Sequence, residues 1–219
     1  MYKLTKFFLF SFFVILFISS AEGAAGPFQY FQVVNDDSNS PATSSAATDS
    51  KPRSEKIYRS NIPEHRRDFH TLRDLSRTTP EALTIVSLVD NLSEGVADER
   101  QTCSNFGLKF MSYEIYIHEH VPSGSLKRFI DEIMAIDGPI LIHCQHGKDR
   151  TGLVIGLIRV LHQGWKPEDA FREMLKYGYN PRYTNLNRAF ETLTKWKIPW
   201  QLKYWGIAVR VCSDLLTGR

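Results

Sequence analysis

The chain has 219 residues, 42% of them hydrophobic, 23% charged and 12% aromatic, a balance that excludes a collagen-like repeat and a charge-dominated disordered tail. The formal charge of +3, from 27 basic against 24 acidic residues, is too small for nucleic-acid binding without a basic stripe, and the sequence has none. Three cysteines cannot all pair within one chain, which excludes a disulfide-scaffolded mini-protein and leaves at least one thiol free.

At the N-terminus, Lys3 and Lys6 precede an uncharged apolar run from Phe7 to Ile18, and the small residues Ala21 and Gly23 follow two apart. That is the layout of a cleaved export signal, and the run is shorter than the roughly 20 residues a membrane span needs. Residues 1–23 are therefore expected to be a signal peptide, with the mature protein exported to the periplasm or secreted and no stable membrane anchor. From Asn35 to Ser54 the chain is rich in Ser, Ala, Thr, Asp and Pro and has no large apolar residue, so residues 24–55 are expected to be a flexible linker. The folded domain is then 56–219, enough for one core.

Within it, strand-like and helix-like patterns alternate. Ile57-Tyr58-Arg59 is a short strand, the segment around His65 to Thr79 a helix, and the apolar β-branched run from Thr84 to Val89 a buried parallel strand. Leu108 to Ile117 is the next strand. Leu126, Phe129, Ile130, Ile133 and Met134 then lie on one helical face, ended by Gly138-Pro139. Ile140-Leu141-Ile142 is a fully apolar strand, followed by a loop and a helix from about Thr151 to Gln163. Pro167 opens another helix, and a last one runs from about Asn185 to Trp196. The alternation predicts an α/β fold with a largely parallel central sheet.

The chemistry lies in His143-Cys144-Gln145-His146-Gly147-Lys148-Asp149-Arg150-Thr151-Gly152, between the apolar strand and the following helix, where α/β proteins place ligand crevices. Cysteine, glycine three later, arginine six later and then serine or threonine coincide by chance in roughly two of a thousand such chains. A loop of this length curls its N–H groups around a tetrahedral anion, with the helix N-terminus aimed at the same point. Arg150 adds a planar fork for two phosphate oxygens, and Gly147 lets the backbone turn closely. The same donors favour the thiolate of Cys144, poised for in-line attack on a bound phosphorus. Thr151 is placed to hydrogen-bond the sulfur when it leaves. Gln145, His146, Gly147, Lys148, Asp149 and Thr151 are thus the substrate-binding set. A nucleotide-binding loop ending at Gly147-Lys148 would need Gly at 142 and Ser or Thr at 149, but Ile142 and Asp149 stand there. His143, Cys144 and His146 are too tightly spaced for a zinc site. A buried inert cysteine leaves the glycine and arginine without a reason.

These residues resemble the His-Cys-x5-Arg-Ser/Thr signature of the cysteine-dependent protein tyrosine phosphatase superfamily, matched from His143 to Thr151. Ile57-Tyr58-Arg59-Ser60, Gly107-Leu108-Lys109-Phe110 and the stretch from Gly164-Trp165 to Tyr179 also resemble its small bacterial dual-specificity-like branch. The resemblance implies the tyrosine-phosphatase-like fold and a two-step reaction through a phosphocysteine on Cys144, without metal or other cofactor. It also implies a general acid on an upstream loop, usually Asp, yet Tyr113 to Ser123 contains none. Glu119-His120-Val121-Pro122 resembles the acid loop of the tyrosine-phosphatase-like phytases, one residue shorter and with Glu for Asp, which makes Glu119 the first candidate. His118, His120 and Glu114 compete with it. So does Asp149, because Cys-x-x-Gly-x-Asp-Arg is similar to myotubularin-type phosphoinositide phosphatases.

His146 and Lys148 put two potential cations around the anion, more than one phosphotyrosine needs, and Lys148 matches a loop lysine of the phosphatase and tensin homologue group. With export, this favours an inositol polyphosphate substrate such as inositol hexakisphosphate. A dual-specificity protein phosphatase or a phosphoinositide phosphatase is the runner-up, and a phosphate-binding module without turnover the third reading. Cys103 and Cys212 are open to pairing in an oxidising compartment, and the aromatic tail from Trp196 to Trp205 is expected to pack.

Overall fold

The computed structural model describes residues 32–34, 57–89 and 95–204. Within them, β1 (Gln32–Val33), β2 (Ile57–Asn61), β3 (Thr84–Ser87), β4 (Lys109–Ser112) and β5 (Ile140–Cys144) form one sheet in the order β1-β2-β5-β3-β4. β2, β5, β3 and β4 are parallel, and β1 is antiparallel to β2. The helices are α1 (Arg66–Ser76), α2 (Gly95–Asn105), α3 (Ser123–Ala135), α4 (Asp149–Leu161), α5 (Pro167–Lys176) and α6 (Thr184–Thr194).

Both faces of the sheet are covered, which is why its strands read as apolar runs. Side chains alternate across it. Ile57, Val86, Ile140, Ile142 and Cys144 join the core built with α3 to α6, whereas Tyr58, Ile85 and Leu141 pack with Phe69 and Leu72 of α1 and Cys103 of α2. Parallel pairing brings the carboxyl ends of β2, β5, β3 and β4 to one edge, with Asn61 in register with Cys144 and Ser87 with His143. β5 lies between β2 and β3, so chain progression reverses beside it, the usual place for a ligand crevice. Helix α4, which leaves this edge, is buried from Thr151 through Arg159. A helix apolar nearly all round needs such a central position.

The elements follow the sequence pattern with instructive exceptions. Leu126, Phe129, Ile130 and Ile133 do form the buried face of α3, and Pro167 opens α5. The strand expected over Leu108 to Ile117 stops at Ser112, and β5 runs two residues beyond Ile142 to end on Cys144. Helix α2 has no apolar stripe to announce it: between 98 and 105 only Glu99 and Cys103 are buried.

The linker expected over 24–55 needs correcting at residues 32–34. Gln32 and Val33 pair with Arg59 and Tyr58, and the buried Val34 donates its N–H to the Ile57 carbonyl at 2.7 Å. The Val34 carbonyl accepts from Arg159 Nη2 at 2.6 Å, and Arg159 also pairs with Glu173 and stacks on Trp165. A two-residue strand thus joins the sheet edge, and a buried arginine donates to the carbonyl that follows it. The remainder of 24–55 and the expected signal, 1–23, lie outside the described residues. No helix among the described residues is long and apolar enough to cross a membrane.

Cys103 is a buried free thiol, while Cys212 lies outside the described residues, as does any pairing between them. In the tail, Trp196 packs against Phe171 and Phe190 as expected, but Trp200 and Tyr204 are exposed by 71% and 70%.

Candidate active site

Cys144 is the last residue of β5, only 2% exposed, on the sheet face that carries α3 to α6. The chain then bends through 145–148 and enters α4 at Asp149, with Gln145 and His146 exposed, Gly147 buried and Lys148 partly buried. The first turn of α4 leaves N–H groups without intrahelical acceptors, a ready cradle for an anion.

The loop owes its shape to β2. Gly147 has φ +66°, and a β-carbon there would lie 2.5 Å from the Ser60 carbonyl oxygen and 2.6 Å from its carbon. Only glycine meets both demands. From the neighbouring position on β2, Arg59 Nη2 donates to the Gly147 carbonyl at 2.8 Å. That carbonyl is therefore committed to β2 and does not present its negative end to an anion.

Arg59 is the site residue that sequence reasoning missed as such, although an arginine inside an apolar strand was its signal. It is 2% exposed, and its guanidinium lies 4.3 Å from the centre of the Tyr177 ring. Burial pushes its pKa down, opposed by the nearby Glu173, Tyr177 and Cys144. Arg59 Nε has no hydrogen-bond partner among the described residues. Arg59→Met should therefore cost only about 1–2 kcal/mol in urea unfolding, since relief of the unpaired Nε offsets the orphaned carbonyl. The kcat/KM should nonetheless fall at least about tenfold as the loop loosens. An unchanged kcat/KM would reduce Arg59 to a space-filler.

The remaining members of the predicted set fall around this loop. Arg150 is partly buried, and its Nη1 donates to the Leu88 carbonyl at 3.4 Å, beyond the end of β3. Asp149 Oδ1 accepts the Asn180 N–H at 2.7 Å and so latches the loop to the segment between α5 and α6. The stem of Lys148 lies over Gly178, whose β-carbon would come 3.2 Å from Lys148 Cδ. Thr151 is fully buried, and its hydroxyl has no hydrogen-bond partner among the described residues, Cys144 included.

The acid candidates lie between β4 and α3. Buried Ile115 and Val121 anchor this loop, while His118, Glu119 and His120 are exposed at its tip. The Glu114 carboxylate accepts the Tyr116 hydroxyl, and His118 sets its ring edge-on to Tyr183 at 5.9 Å. Glu119 is held at a turn by its N–H bond to the Tyr116 carbonyl, 3.2 Å, and among the described residues its carboxylate makes no hydrogen bond or ion pair. Cys144, Arg150 and Thr151 thus share one loop and helix start, whereas Glu119 comes from a separate loop. No three His, Cys, Asp or Glu side chains among the described residues converge as metal ligands.

A family model described as the tyrosine phosphatase family matches residues 49–197. The dual specificity protein phosphatase TpbA of Pseudomonas aeruginosa is 26% identical over 125 residues, 56% of this chain and 51% of that protein. The inositol diphosphatase SIW14 of Saccharomyces cerevisiae is 36% identical over 72 residues, 32% of this chain and 25% of that one. The chain thus spans about half the length, or less, of the curated relatives it matches. The crystal structure of the core catalytic domain of SIW14, with citrate, superposes with a TM-score of 0.50 at 24% identity, covering 69% of this chain and 86% of that one. That likeness concerns the fold.

Proposed function

Because the chain belongs to the tyrosine phosphatase family, we propose that it is a cysteine-based phosphomonoesterase with Cys144 as nucleophile and Arg150 as phosphate clamp. The observation that carries this reading is the loop itself: a cysteine at the carboxyl end of the central strand, a glycine that nothing else replaces, and an arginine in the first turn of a buried helix.

The reaction has two displacements. The Cys144 thiolate attacks phosphorus, an S–P bond forms as the P–O bond to the alcohol breaks, and the leaving oxygen takes a proton from Glu119. Water then attacks the phosphocysteine and gives its proton to the same carboxylate. Inorganic phosphate leaves and the thiolate returns, with the Thr151 hydroxyl hydrogen-bonded to the departing sulfur. The Arg150 fork and the loop N–H groups stabilise the charge that spreads over the equatorial oxygens.

Glu119 is our choice of acid because Glu114 and Asp149 already hold other groups, whereas its carboxylate is exposed and unengaged. Glu119→Gln should slow hydrolysis of an alkyl phosphate about a hundredfold, yet change that of a p-nitrophenyl ester by less than about fivefold, since a good leaving group needs no proton. Equal losses on both substrates would remove Glu119 from this role.

For substrate, we favour an inositol polyphosphate such as inositol hexakisphosphate. His146, which is exposed, and Lys148, whose stem lies over Gly178, supply more potential cations than one phosphate uses. The similarity to SIW14, an inositol diphosphatase, supports this choice. The longer match to TpbA, a dual specificity protein phosphatase, favours a phosphoprotein as the second reading. Phosphate release from inositol hexakisphosphate and from a phosphotyrosine peptide, with Cys144→Ser as control, decides between them. Release from the peptide alone would sink the first.

Export completes the reading: residues 1–23 act as a cleaved signal and deliver the enzyme to the periplasm or medium. N-terminal sequencing of the mature protein tests this, with a new terminus near Ala24 expected and an intact Met1 the contrary result.

A further inference from the structure

At one level of the sheet, apolar packing gives way to polar residues on the α1 and α2 face. Tyr58, Ile85 and Leu141 belong to the apolar cluster there. Two residues further along each strand, the in-register positions hold Ser60, Ser87 and His143, with Ser112 beside Ser87 on β4. Ser60, Ser87 and His143 are wholly buried. A polar layer inside a sheet is costly unless its groups are satisfied.

Helix α2 meets this layer with Glu99, itself only 4% exposed. Glu99 Oε1 lies 2.8 Å from His143 Nε2, both side chains being almost without solvent. The approach is close but off the line of a ring N–H, so the two groups touch without an aligned hydrogen bond. Glu99 Oε2, His143 Nδ1 and the Ser87 hydroxyl have no hydrogen-bond partner among the described residues. Among the described residues no other donor reaches this buried carboxylate, and the group that touches it is an imidazole.

Among the described residues, the neighbouring titratable and charged groups of α1 and α2 are engaged elsewhere. On α1, Asp68 turns its carboxylate to the N–H groups of Glu64 and His65, and His70 packs its ring against Phe106. On α2, Arg100 donates to the Ser112 hydroxyl and lies over the Phe110 ring. Burial, then the nearby Glu99, push the Cys103 thiol up to about 12. On β2, Tyr58 packs into the apolar cluster below.

His143 immediately precedes the nucleophile. We propose that Glu99 is a positioning residue of the Cys144 site: its buried carboxylate keeps a proton on His143 Nε2, and the resulting imidazolium favours the thiolate on the next residue. This rests on Cys144 being the nucleophile. The sign of the effect identifies it. Acting alone, a carboxylate near Cys144 would disfavour a thiolate, and its removal would raise reactivity. Acting through His143, its removal lowers reactivity.

The experiment uses the full chain and follows iodoacetamide alkylation of Cys144, resolved by peptide mass spectrometry, at about pH 5.5 and about pH 9. Buried Cys103 stays unreactive. Glu99→Gln should slow alkylation about tenfold at the lower pH and less than about twofold at the higher, where the thiolate forms regardless. Glu99→Asp, which keeps the charge, should recover most of the rate, and Glu99→Gln should have no further effect in a His143→Asn background. Equal slowing at both pH values, an unchanged rate, or faster alkylation at low pH overturns the proposal. Thermal melts precede the comparison. Where Glu99→Gln does not fold, His143→Asn alone carries the test, with the same selective low-pH loss expected and its absence decisive against. A wild-type Cys144 inert at about pH 5.5 would fail the nucleophile reading instead, so the two failures are distinguishable.

Discussion

Cys144→Ser is expected to reduce phosphate release below about one ten-thousandth of the wild-type rate while leaving substrate binding intact. The exchange replaces one sulfur by one oxygen at a position only 2% exposed, so the loop, its glycine and its arginine remain in place. What is lost is ionisation. The loop N–H groups and Arg150 can favour a thiolate at neutral pH, but an alkoxide lies far beyond their reach. Calorimetry of inositol hexakisphosphate with the variant should therefore show binding near the wild-type affinity, beside an assay that shows no turnover. This pairing also separates the enzyme from a phosphate-binding module, for which the wild type and the variant would both bind and neither would release phosphate. Turnover by the variant at the wild-type rate would remove Cys144 from the mechanism.

The loop was legible because its chemistry and its fold context coincide within one short segment. Ile140-Leu141-Ile142 announced a buried strand, the cysteine followed at its end, and Gly147 and Arg150 stood at positions that only an anion-binding turn requires. The structure puts that turn where the apolar run predicts, at the carboxyl edge beside the point of topological reversal. Its support was harder to read, because it comes from β2, more than 80 residues earlier in the chain. Arg59 and Ser60 contact Gly147 through a side chain and a carbonyl, and no local pattern signals such a pairing.

The same reasoning explains the other omissions. Helix α2 buries Glu99 and Cys103 in place of an apolar stripe, so the periodicity that reveals α3 and α5 is absent from it. The edge strand at 32–34 ends the stretch Phe28-Gln29-Tyr30-Phe31-Gln32-Val33-Val34, just before the polar run, and relies on Arg159 for its last hydrogen bond. In each case a buried charged residue stands where sequence patterning expects an apolar one. Periodicity reads the burial of hydrocarbon, and it is silent about charges that are buried in pairs. Glu99 with His143 and Arg159 with Glu173 are of this kind.

Gly147→Ala should be the most damaging small substitution in the loop. At φ +66° an L-residue is strained, and here the added methyl also meets backbone: Ser60 O at 2.5 Å, Ser60 C at 2.6 Å and Asn61 N at 2.8 Å. Backbone in a central strand has no rotamer with which to move aside, and β2 is paired with β5 along its whole length. The loop must give instead, which stretches or breaks the bond from Arg59 Nη2 to the Gly147 carbonyl. Strain and overpacking together should cost on the order of 3 kcal/mol, read as a lower midpoint in urea unfolding. The kinetic loss should be larger in proportion. A displacement of about 1 Å in the cradle moves the N–H groups off the phosphate oxygens, and kcat should fall by about a hundredfold or more even in the fraction that stays folded. At Gly164, where φ is +71° and a β-carbon would meet nothing within 4 Å, alanine carries the backbone strain without the clash and lies outside the loop. That variant should lose about 1 kcal/mol and keep its kcat. Equal behaviour of the two variants would show that positive φ alone matters and that the contact with β2 does not shape the site.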